Sequence, residues 1–218
     1  MDYQFLELHL NDRIGHIVLN RPEKRNAFNA ELVTELKHAF RHFYASDACK
    51  IIVLRAKGEV FSAGADLGYL QQLQKNTYDE NRADSRHLME LYEMIYAGPK
   101  VVISQVEGHA IAGGCGLATV TDFCFAVPGA NFGYTEVRIG FIPAIVSVFL
   151  ARKLGEGKAR ELLLTGDLLR ATEAQHVGLI NFVTPADEIA DKVQQFAPNL
   201  AKNCSGSALS MTKQLLAD

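Results

Sequence analysis

Apolar and polar positions along the chain follow patterns that predict short strands separated by helices. Residues 3–8 and 14–19 alternate apolar with polar side chains on either side of the turn-like pair Asn11-Asp12, which predicts a hairpin. Four further apolar runs of strand length stand at residues 51–55, 101–106, 123–127 and 179–183. Because helical patterns lie between these runs, the sequence predicts an α/β fold in which at least part of the sheet is parallel.

Helical periodicity is clear after the hairpin. Asn29 can cap a helix over residues 30–45, in which Leu32, Leu36 and Phe40 recur on one face. Other helices are predicted at about residues 67–74, 79–96, 113–120, 144–154, 156–165 and 172–178, and two more reach the C-terminus. No linker, repeat or low-complexity stretch interrupts this pattern, so the 218 residues predict one large domain.

Composition and charge argue against several classes of protein. The net charge of −3 comes without a basic stripe, which argues against nucleic-acid binding, and no apolar run reaches the ~20 residues of a membrane span. The N-terminus lacks the basic and apolar regions of a secretory signal. The histidines are dispersed and the cysteines form no C-x-x-C pair, so we expect no metal site and reduced thiols in a cytoplasmic protein. The four cysteines are Cys49, Cys115, Cys124 and Cys204.

Two turns rich in small residues each follow a predicted strand and precede a predicted helix. One is Val-Phe-Ser-Ala-Gly-Ala-Asp-Leu at residues 60–67, and the other spans residues 107–117 and contains four glycines. Small residues let a ligand approach the backbone, and a helix start offers free N–H donors. Two such turns that converge can form an oxyanion hole. The alternative is that both are only tight strand-to-helix turns. The nucleotide motif G-x-G-x-x-G and the nucleophile motif G-x-S-x-G are both missing.

At these residues the sequence resembles the enoyl-CoA hydratase/isomerase (crotonase) family, over essentially the whole chain. Residues 20–28 (Asn-Arg-Pro-Glu-Lys-Arg-Asn-Ala-Phe) resemble its N-R-P-x-x-x-N-A-L segment, and residues 61–67 resemble its F-S-A-G-x-D-L loop. Residues 108–115 resemble G-x-x-x-G-G-G, with Ala112 in place of the first glycine of the run. Further similar pieces follow in family order at residues 132–137 (F-G-x-x-E), 164–166 (L-T-G) and 171–179 (A-x-E-A-x-x-x-G-L).

The resemblance implies a fold, a substrate and an assembly. The expected fold is the α/β ClpP/crotonase type, a spiral of ββα units with a helical C-terminal region. The expected substrate is an acyl-CoA thioester, and no cofactor or metal is implied beyond the CoA that the substrate carries. A homotrimer, or two trimers paired into a hexamer, is the expected assembly. The resemblance also divides the chain into a core domain at residues 1–198 and the start of a C-terminal helical region at residues 199–218, which is expected to be shortened relative to the family.

The resemblance also implies which residues meet the substrate. It places the two oxyanion donors at the backbone N–H groups of Ala65 and Gly113. The residues expected to contact substrate and CoA are Lys24, Ala63, Ala65, Asp66, Leu67 and Gly113. Arg25 is a second candidate for the CoA phosphates, and the alternative for both cations is a solvated surface turn. The acyl pocket is expected between helices near residues 68–96 and 143–150.

Hydration of an enoyl thioester needs water held against Cβ and a proton delivered to Cα. The family's two-glutamate hydratases divide this work between two carboxylates. The second glutamate matches Glu136, whose apolar sequence neighbours would raise its carboxyl pKa into a range suited to acid/base chemistry. The alternative is a Glu on a polar face that pairs with Arg138. The first glutamate should stand three residues after Gly113, where this chain has Gly116, which has no side chain to position water.

Three outcomes are compatible with Gly116. A single glutamate can move a proton between carbons, as the isomerases of this family do. Another group can hold the water, for example Tyr134, His109 or a carboxylate from residues 79–84. The site can also only stabilise an enolate, as family decarboxylases and hydrolases do.

Residues 136–147 favour a hydratase over an isomerase. They are similar to the methylglutaconyl-CoA hydratase branch, in which Pro-Ala-x-x-Ser stands where other members carry a glycine-rich segment. The similarity favours an enoyl-CoA hydratase acting on an α,β-unsaturated thioester, with a branched, methylglutaconyl-like acyl group as one option, in fatty acid metabolism or leucine degradation. A single-glutamate enoyl-CoA isomerase is the alternative. A non-catalytic acyl-CoA-binding homologue is the second alternative.

Overall fold

The computed structural model describes residues 2–218 and contains two mixed β-sheets with helices packed around them. The strands are β1 Leu6–Asn11, β2 Ile14–Leu19, β3 Ile51–Ala56, β4 Val60–Ser62, β5 Val101–Val106, β6 His109–Ile111, β7 Phe123–Ala126, β8 Asn131–Gly133, β9 Leu169–Arg170 and β10 Phe182–Val183. The helices are α1 Ala30–Ala45, α2 Leu67–Leu73, α3 Tyr78–Tyr96, α4 Gly113–Thr119, α5 Ala144–Leu154, α6 Glu156–Thr165, α7 Ala171–His176, α8 Ile189–Asn203 and α9 Gly206–Ala217. Short 3-10 helices cover Pro22–Lys24 and Thr135–Ile139.

The larger sheet has six strands in the order β1-β2-β3-β5-β7-β10. β1 and β2 form the predicted antiparallel hairpin, and the remaining neighbours pair in parallel. Every residue of β5 is buried, as expected for a central parallel strand that is covered on both faces. The predicted α/β class with a largely parallel sheet is therefore confirmed.

The smaller sheet has four strands in the order β4-β6-β8-β9. β4, β6 and β8 run parallel to one another, and β9 is antiparallel to β8. Each of β4, β6 and β8 comes directly after a strand of the larger sheet and directly before a helical segment. The chain therefore passes through successive units of long strand, short strand and helix, which agrees with the expected spiral of ββα units.

The core lies against the larger sheet and is covered by helices. α1, one of these helices, begins at a side-chain cap. The Asn29 side chain accepts a hydrogen bond of 2.9 Å from the Leu32 N–H and so caps α1 where predicted. Leu32, Leu36 and Phe40 on the inner face of α1 have no exposed surface. α8 packs across β2, β3, β5 and β7, so the central strands of the larger sheet are shielded.

The short strands are the main departure from the predicted elements. β4, β6, β8 and β9 contain two or three residues each and lie in segments where no strand was predicted, because pieces this short carry no usable periodicity. The last strand, predicted at residues 179–183, is only Phe182–Val183. Leu179 and Ile180 instead donate backbone hydrogen bonds to the Ala174 carbonyl at 2.8 and 3.3 Å. β1 begins at Leu6, later than predicted.

A buried lysine holds the final helix on the larger sheet. Lys213 on α9 donates hydrogen bonds to the Asp122 carboxylate at 2.7 Å and to the Lys100 carbonyl at 3.0 Å. The predicted boundary between residues 198 and 199 falls inside α8, so one helix carries residues of both predicted segments. Across residues 2–218, no helix has both the length and the apolar character that crossing a bilayer requires.

Candidate active site

The ends of three neighbouring short strands bring the predicted site residues together. β4, β6 and β8 are adjacent and parallel, so their carboxyl-terminal ends point to one edge of the smaller sheet. Ala65 follows the end of β4, Gly113 follows the end of β6, and Glu136 follows the end of β8. Ligands of α/β proteins characteristically bind outside the carboxyl ends of parallel strands. Strand order thus gathers residues that are up to 71 positions apart in the sequence.

The two small-residue turns touch each other through Gly64. A Cβ atom at Gly64 would lie 2.8 Å from the Ala112 Cβ and 3.3 Å from the Gly113 backbone nitrogen. Gly64 also has φ +83°, a conformation that only glycine adopts without strain. Gly114 likewise lets the second turn approach the first, since a Cβ there would lie 2.4 Å from the Ser62 carbonyl oxygen. The turns can approach this closely because one residue in each contact, Gly64 or Gly114, has no side chain.

The backbone N–H groups of Ala65 and Gly113 are free to bind a ligand. Gly113 is the first residue of α4, where an N–H has no partner within the helix. The neighbours of Ala65 are committed, since Phe28 N–H donates to the Gly64 carbonyl at 2.6 Å and Asp66 N–H donates to the Phe28 carbonyl at 2.8 Å. Within the described residues, neither the Ala65 nor the Gly113 N–H has a protein acceptor. Two unpaired donors on touching turns are what the predicted oxyanion hole needs.

The turn before α4 stores backbone strain at Ala112. This residue has φ +51° and ψ −124°, a region that side-chain-bearing residues avoid at a cost of about 1–3 kcal/mol. Its N–H donates to the Gly133 carbonyl at 2.7 Å, which links the end of β6 to the end of β8. Ala112 stands where the family pattern has a glycine, so the conformation is kept although the residue is less suited to it.

Asn26 fixes the turn after β4 through hydrogen bonds. Its buried side chain accepts from the Arg21 N–H at 2.9 Å and donates to the Lys57 and Val60 carbonyls at 2.8 Å each. The Ser62 hydroxyl donates to the Asn26 carbonyl at 2.8 Å. The asparagine of the N-R-P-x-x-x-N-A pattern is therefore a structural residue that fixes the position of the turn.

Glu136 is half-buried, and one oxygen of its carboxyl group is buried without a hydrogen-bond partner among the described residues. The carboxylate oxygen Oε2 is buried and has no hydrogen-bond partner within residues 2–218. Burial raises the pKa of the Glu136 carboxyl above its ordinary value, against a smaller opposing effect of its own backbone N–H. The alternative partner, Arg138, is paired with Asp167 at 2.5 Å on the surface. A carboxyl with a raised pKa and one unpartnered buried oxygen is a characteristic of acid/base sites.

A cavity of about 260 Å³ connects these groups. Ala65, Gly113 and Glu136 line it on the side of the smaller sheet, and the helices predicted near residues 68–96 and 143–150 line the other side. Apolar lining side chains include Leu70, Leu73, Leu88, Ile145 and Val146. Within the described chain this lining includes no Lys or Arg, and its carboxylates are Asp84 and Glu136. The cavity therefore combines an apolar compartment with two N–H donors and one unpaired acid.

Gly116, where the resemblance expects a carboxylate, is buried in α4 against Tyr92. A Cβ at Gly116 would lie 2.8 Å from the Tyr92 hydroxyl oxygen and 3.0 Å from a carbon of its ring. Tyr92 is itself 1% exposed and lines the cavity. The tyrosine, which the sequence analysis did not single out, thus fills the space into which a residue at position 116 would extend.

The three other groups expected to hold the attacking water differ in whether they line the cavity. The Tyr134 hydroxyl is fully buried, pairs with the Thr119 hydroxyl at 2.5 Å and does not line the cavity. His109 is exposed and accepts from the Asn131 N–H at 3.2 Å, also outside the lining. Asp84 does line the cavity and accepts a hydrogen bond from the Tyr69 hydroxyl. Tyr134 and His109 are therefore not placed to hold water in the cavity, whereas Asp84 is.

The residues expected along the CoA path fall into two groups. Ala63 and Leu67 line the cavity next to Ala65. Asp66 does not, because its carboxylate caps α2 through the Gly68 N–H at 2.8 Å and pairs with Arg21 at 2.9 Å. Although burial opposes the charge, these hydrogen bonds hold the pKa of Asp66 below its ordinary value.

The two candidate cations for the CoA phosphates lie just outside the cavity. Lys24 and Arg25 are exposed on the turn around Pro22–Lys24. The Ala63 N–H donates to the Arg25 carbonyl at 3.0 Å, so this basic turn is attached to the lip of the cavity. A second cavity, of about 280 Å³, lies against α8 with His9, His16 and Arg55 in its lining, and no predicted site residue contributes to it.

Comparison with known proteins gives one consistent result. The family model described as enoyl-CoA hydratase/isomerase matches residues 9–218. A Thermus thermophilus relative, whose name assigns it provisionally as an enoyl-CoA hydratase, is 40% identical over 205 residues, covering 93% of this chain and 81% of the relative. The crotonyl-CoA hydratase of Syntrophomonas wolfei is 33% identical over 199 residues, covering 90% of this chain and 75% of the relative.

Solved structures agree with the sequence relatives. An enoyl-CoA hydratase from Shewanella pealeana superposes with a TM-score of 0.94 at 33% identity, covering 98% of this chain and 80% of that one. An enoyl-CoA hydratase from Bacillus anthracis gives 0.91 at 28% identity, covering 99% of this chain and 83% of that one. The crotonase fold expected from the sequence is thereby confirmed.

Gly64→Ala should lower the free energy of unfolding by about 2 kcal/mol, because the new Cβ meets Ala112 and φ is positive. Urea unfolding of the wild type and the variant measures this difference. Gly129→Ala is the matched control, since a Cβ there meets nothing within 4 Å, and it should leave stability unchanged. A Gly64→Ala protein as stable as the wild type would contradict the close contact between the turns.

Glu136→Gln should stabilise the fold at neutral pH. The raised pKa means that the folded wild type holds a desolvated charge once pH exceeds that pKa, so its unfolding free energy falls as pH rises from the unfolded to the folded pKa. Gln stays neutral and escapes this loss. In urea unfolding the variant should be more stable than wild type at about pH 8. This advantage should largely disappear at about pH 4, where the carboxyl is mostly protonated in the folded and the unfolded chain alike. Glu93→Gln, at an exposed site, is the matched control and should leave stability unchanged. A variant that is less stable than wild type at about pH 8 would contradict the desolvated charge.

Proposed function

The chain belongs to the enoyl-CoA hydratase/isomerase family, and we propose that it is a hydratase that adds water across the α,β double bond of an enoyl-CoA thioester. The observation that carries the proposal is the unpartnered Glu136 carboxylate in the same cavity as the free N–H groups of Ala65 and Gly113. These are the two requirements of enolate chemistry, a stabilised oxygen anion and a nearby group that moves a proton.

The two N–H groups act on the thioester oxygen. Negative charge accumulates there when a nucleophile adds at Cβ, and donors that are already oriented stabilise this charge without reorganisation. One such donor typically contributes about 3–4 kcal/mol of transition-state stabilisation. The positive end of α4, which begins at Gly113, adds to the same effect.

Glu136 moves the proton in both halves of the reaction. As the water oxygen bonds to Cβ, the carboxylate accepts a proton from the water and the π electrons move to the thioester oxygen. The protonated carboxyl then returns a proton to Cα as the enolate collapses. A raised pKa suits this exchange, because the group must be a usable base and a usable acid at one pH.

The charges around the cavity favour a neutral acyl group. A methylglutaconyl group carries a second carboxylate, which would meet Asp84 and Glu136 without a lysine or arginine from the described lining. Ser147, from the segment that resembles the methylglutaconyl branch, donates its hydroxyl to the Ala144 carbonyl at 2.6 Å and is not in the lining. The relatives described above carry names of general enoyl-CoA or crotonyl-CoA hydratases. We therefore propose a short or medium uncharged enoyl group.

A single-glutamate isomerase is the second candidate. The observation that favours it is Gly116, since the cavity lacks the second carboxylate of the two-glutamate hydratases at that position. Glu136 alone could take a proton from one carbon of the enolate and return it to another. A non-catalytic binder of acyl-CoA is the third candidate, and it would need neither the strain at Ala112 nor the unpaired carboxyl.

The test is a spectrophotometric assay with crotonyl-CoA, 3-methylglutaconyl-CoA and a 3-enoyl-CoA. We expect loss of the conjugated enoyl absorbance with crotonyl-CoA, slower loss with 3-methylglutaconyl-CoA, and a decrease in kcat of about 10²–10⁴-fold in Glu136→Gln. The wild-type rate should rise with pH through a pKa above the ordinary carboxyl value of 4.5, and this limb should vanish in the variant. Glu93→Gln is the control at full activity.

Each other outcome selects a different candidate. A gain of absorbance from the 3-enoyl substrate alone would make the chain an isomerase. Binding of all three thioesters without any absorbance change would make it a binder. Faster turnover of 3-methylglutaconyl-CoA than of crotonyl-CoA would overturn the argument from cavity charge.

We propose a homotrimer, or a hexamer of two trimers, in the cytoplasm. Exposed apolar side chains near the site and on α9 support self-association, and Ile142 alone is 83% exposed. Exposed apolar side chains of this kind are Ile139, Ile142, Leu164, Leu168, Met211, Leu215 and Leu216. All four cysteines are free, which suits a reducing compartment. Light scattering should give three or six times the chain mass of 24.0 kDa, and a monomeric mass would contradict the assembly.

A further inference from the structure

Tyr92 occupies the place from which a second carboxylate would act. Its hydroxyl oxygen lies 2.8 Å from where a Cβ at Gly116 would stand, so the tyrosine and a side chain at position 116 exclude each other. The ring is held edge-on against Phe149 on α5, with 6.3 Å between ring centroids and 77° between planes. The hydroxyl is therefore a fixed polar group of the cavity and not a mobile one.

The hydrogen bonding of Tyr92, which lines the cavity, leaves its hydroxyl oxygen able to accept a further hydrogen bond. Its single hydroxyl proton is donated to the Gly113 carbonyl oxygen at 2.6 Å. A phenol oxygen has lone pairs that can accept further hydrogen bonds. Burial first, and then the nearby charge of Glu136, raise the pKa of the Tyr92 hydroxyl well above its ordinary value, so it stays neutral at the pH of catalysis. A neutral oxygen with its proton committed can accept from a water molecule but cannot itself serve as the base.

Asp84, His87 and Asn29, which also line the cavity, already have hydrogen-bond partners in the protein. Asp84 accepts from the Tyr69 hydroxyl. The two ring nitrogens of His87 contact the Thr34 hydroxyl at 3.0 Å and the Lys37 ammonium at 3.1 Å. Asn29 uses its side-chain oxygen to cap α1. Tyr92 is the buried lining residue that also contacts position 116 and senses the charge of Glu136.

We propose that Tyr92 is a catalytic residue that holds the attacking water in place of the missing glutamate. The water donates one hydrogen bond to the Tyr92 hydroxyl oxygen and the other to the Glu136 carboxylate, which leaves an oxygen lone pair for Cβ. The O–Cβ bond forms as Glu136 accepts the proton, the π electrons pass to the thioester oxygen, and Glu136 then protonates Cα. Tyr92 gains and loses no proton. The inference rests on the proposed hydratase function.

The test compares wild type, Tyr92→Phe and Tyr96→Phe in two reactions. The first is hydration of crotonyl-CoA. The second is exchange of the α-protons of butyryl-CoA with D₂O, which needs the oxyanion donors and Glu136 but no attacking water. Tyr96 lies on the same helix and also packs on Phe149, with ring centroids 5.1 Å apart, but it does not line the cavity. It therefore controls for loss of a hydroxyl beside that ring.

Tyr92→Phe should lower kcat for hydration by about 100-fold, the typical cost of a misplaced reactant. KM and the rate of α-proton exchange should not change, and Tyr96→Phe should match the wild type in both reactions. Equal loss of hydration and exchange in Tyr92→Phe would overturn the proposal, because the hydroxyl would then act through the Gly113 carbonyl on the oxyanion turn. Unchanged hydration would overturn it as well.

Failure of the proposed function gives a different pattern. A wild-type chain that exchanges α-protons but hydrates no enoyl-CoA would reject the hydratase assignment, and the role of Tyr92 with it. A wild type that hydrates and a Tyr92→Phe variant that hydrates equally well would reject only the role of Tyr92.

Discussion

The contact between the turns after β4 and β6 is the constraint on which the site depends. Gly64 lies against Ala112 and Gly113 at a distance that any side chain would violate. Because this contact exists, Ala65 and Gly113 line one cavity, while the backbone groups beside them are committed to hydrogen bonds. The rest of the fold maintains the contact, with Asn26 beneath one turn and the Gly133 carbonyl holding the other.

The site concentrates several unfavourable features that the surrounding core has to offset. Ala112 sits in a backbone region that side-chain-bearing residues avoid, and Glu136 has a buried oxygen without a partner. Strain and unpaired buried groups of this kind cluster at functional sites, since they persist only where the structure around them determines them fully. At Ala112 the fixing contact is the hydrogen bond of 2.7 Å from its N–H to the Gly133 carbonyl.

The sequence was most informative where a periodic pattern was long. α1 and β5 were predicted at their observed positions because residues 30–45 and 101–106 carry enough apolar positions to define a period. β4, β6 and β8 were missed as strands, yet the glycine-rich turns that follow two of them were identified by composition. The adjacency of the three strand ends was not visible in any one segment, because strand order in a sheet is decided by tertiary packing.

Tyr92 shows the limit of sequence interpretation more sharply. In the sequence it is one residue on the apolar face of a long helix, and Gly116 only marks where the expected glutamate is missing. The two residues are in contact because α3 packs its buried face beside α4, and no local sequence pattern predicts that packing. Glu136 was found through its motif, but its unpaired oxygen and the commitment of Arg138 to Asp167 required the structure.

The proposed function requires the Ala65 and Gly113 N–H groups to bind the thioester oxygen together. The most direct measurement is the infrared difference spectrum of butyryl-CoA labelled with ¹³C at the thioester carbonyl, bound to the wild type and to Gly64→Ala. Two donors weaken the C=O bond, so the labelled band should move to lower wavenumber on binding to the wild type and move less in the variant. A band that stays at its position in free solution when the wild type is saturated would contradict the account.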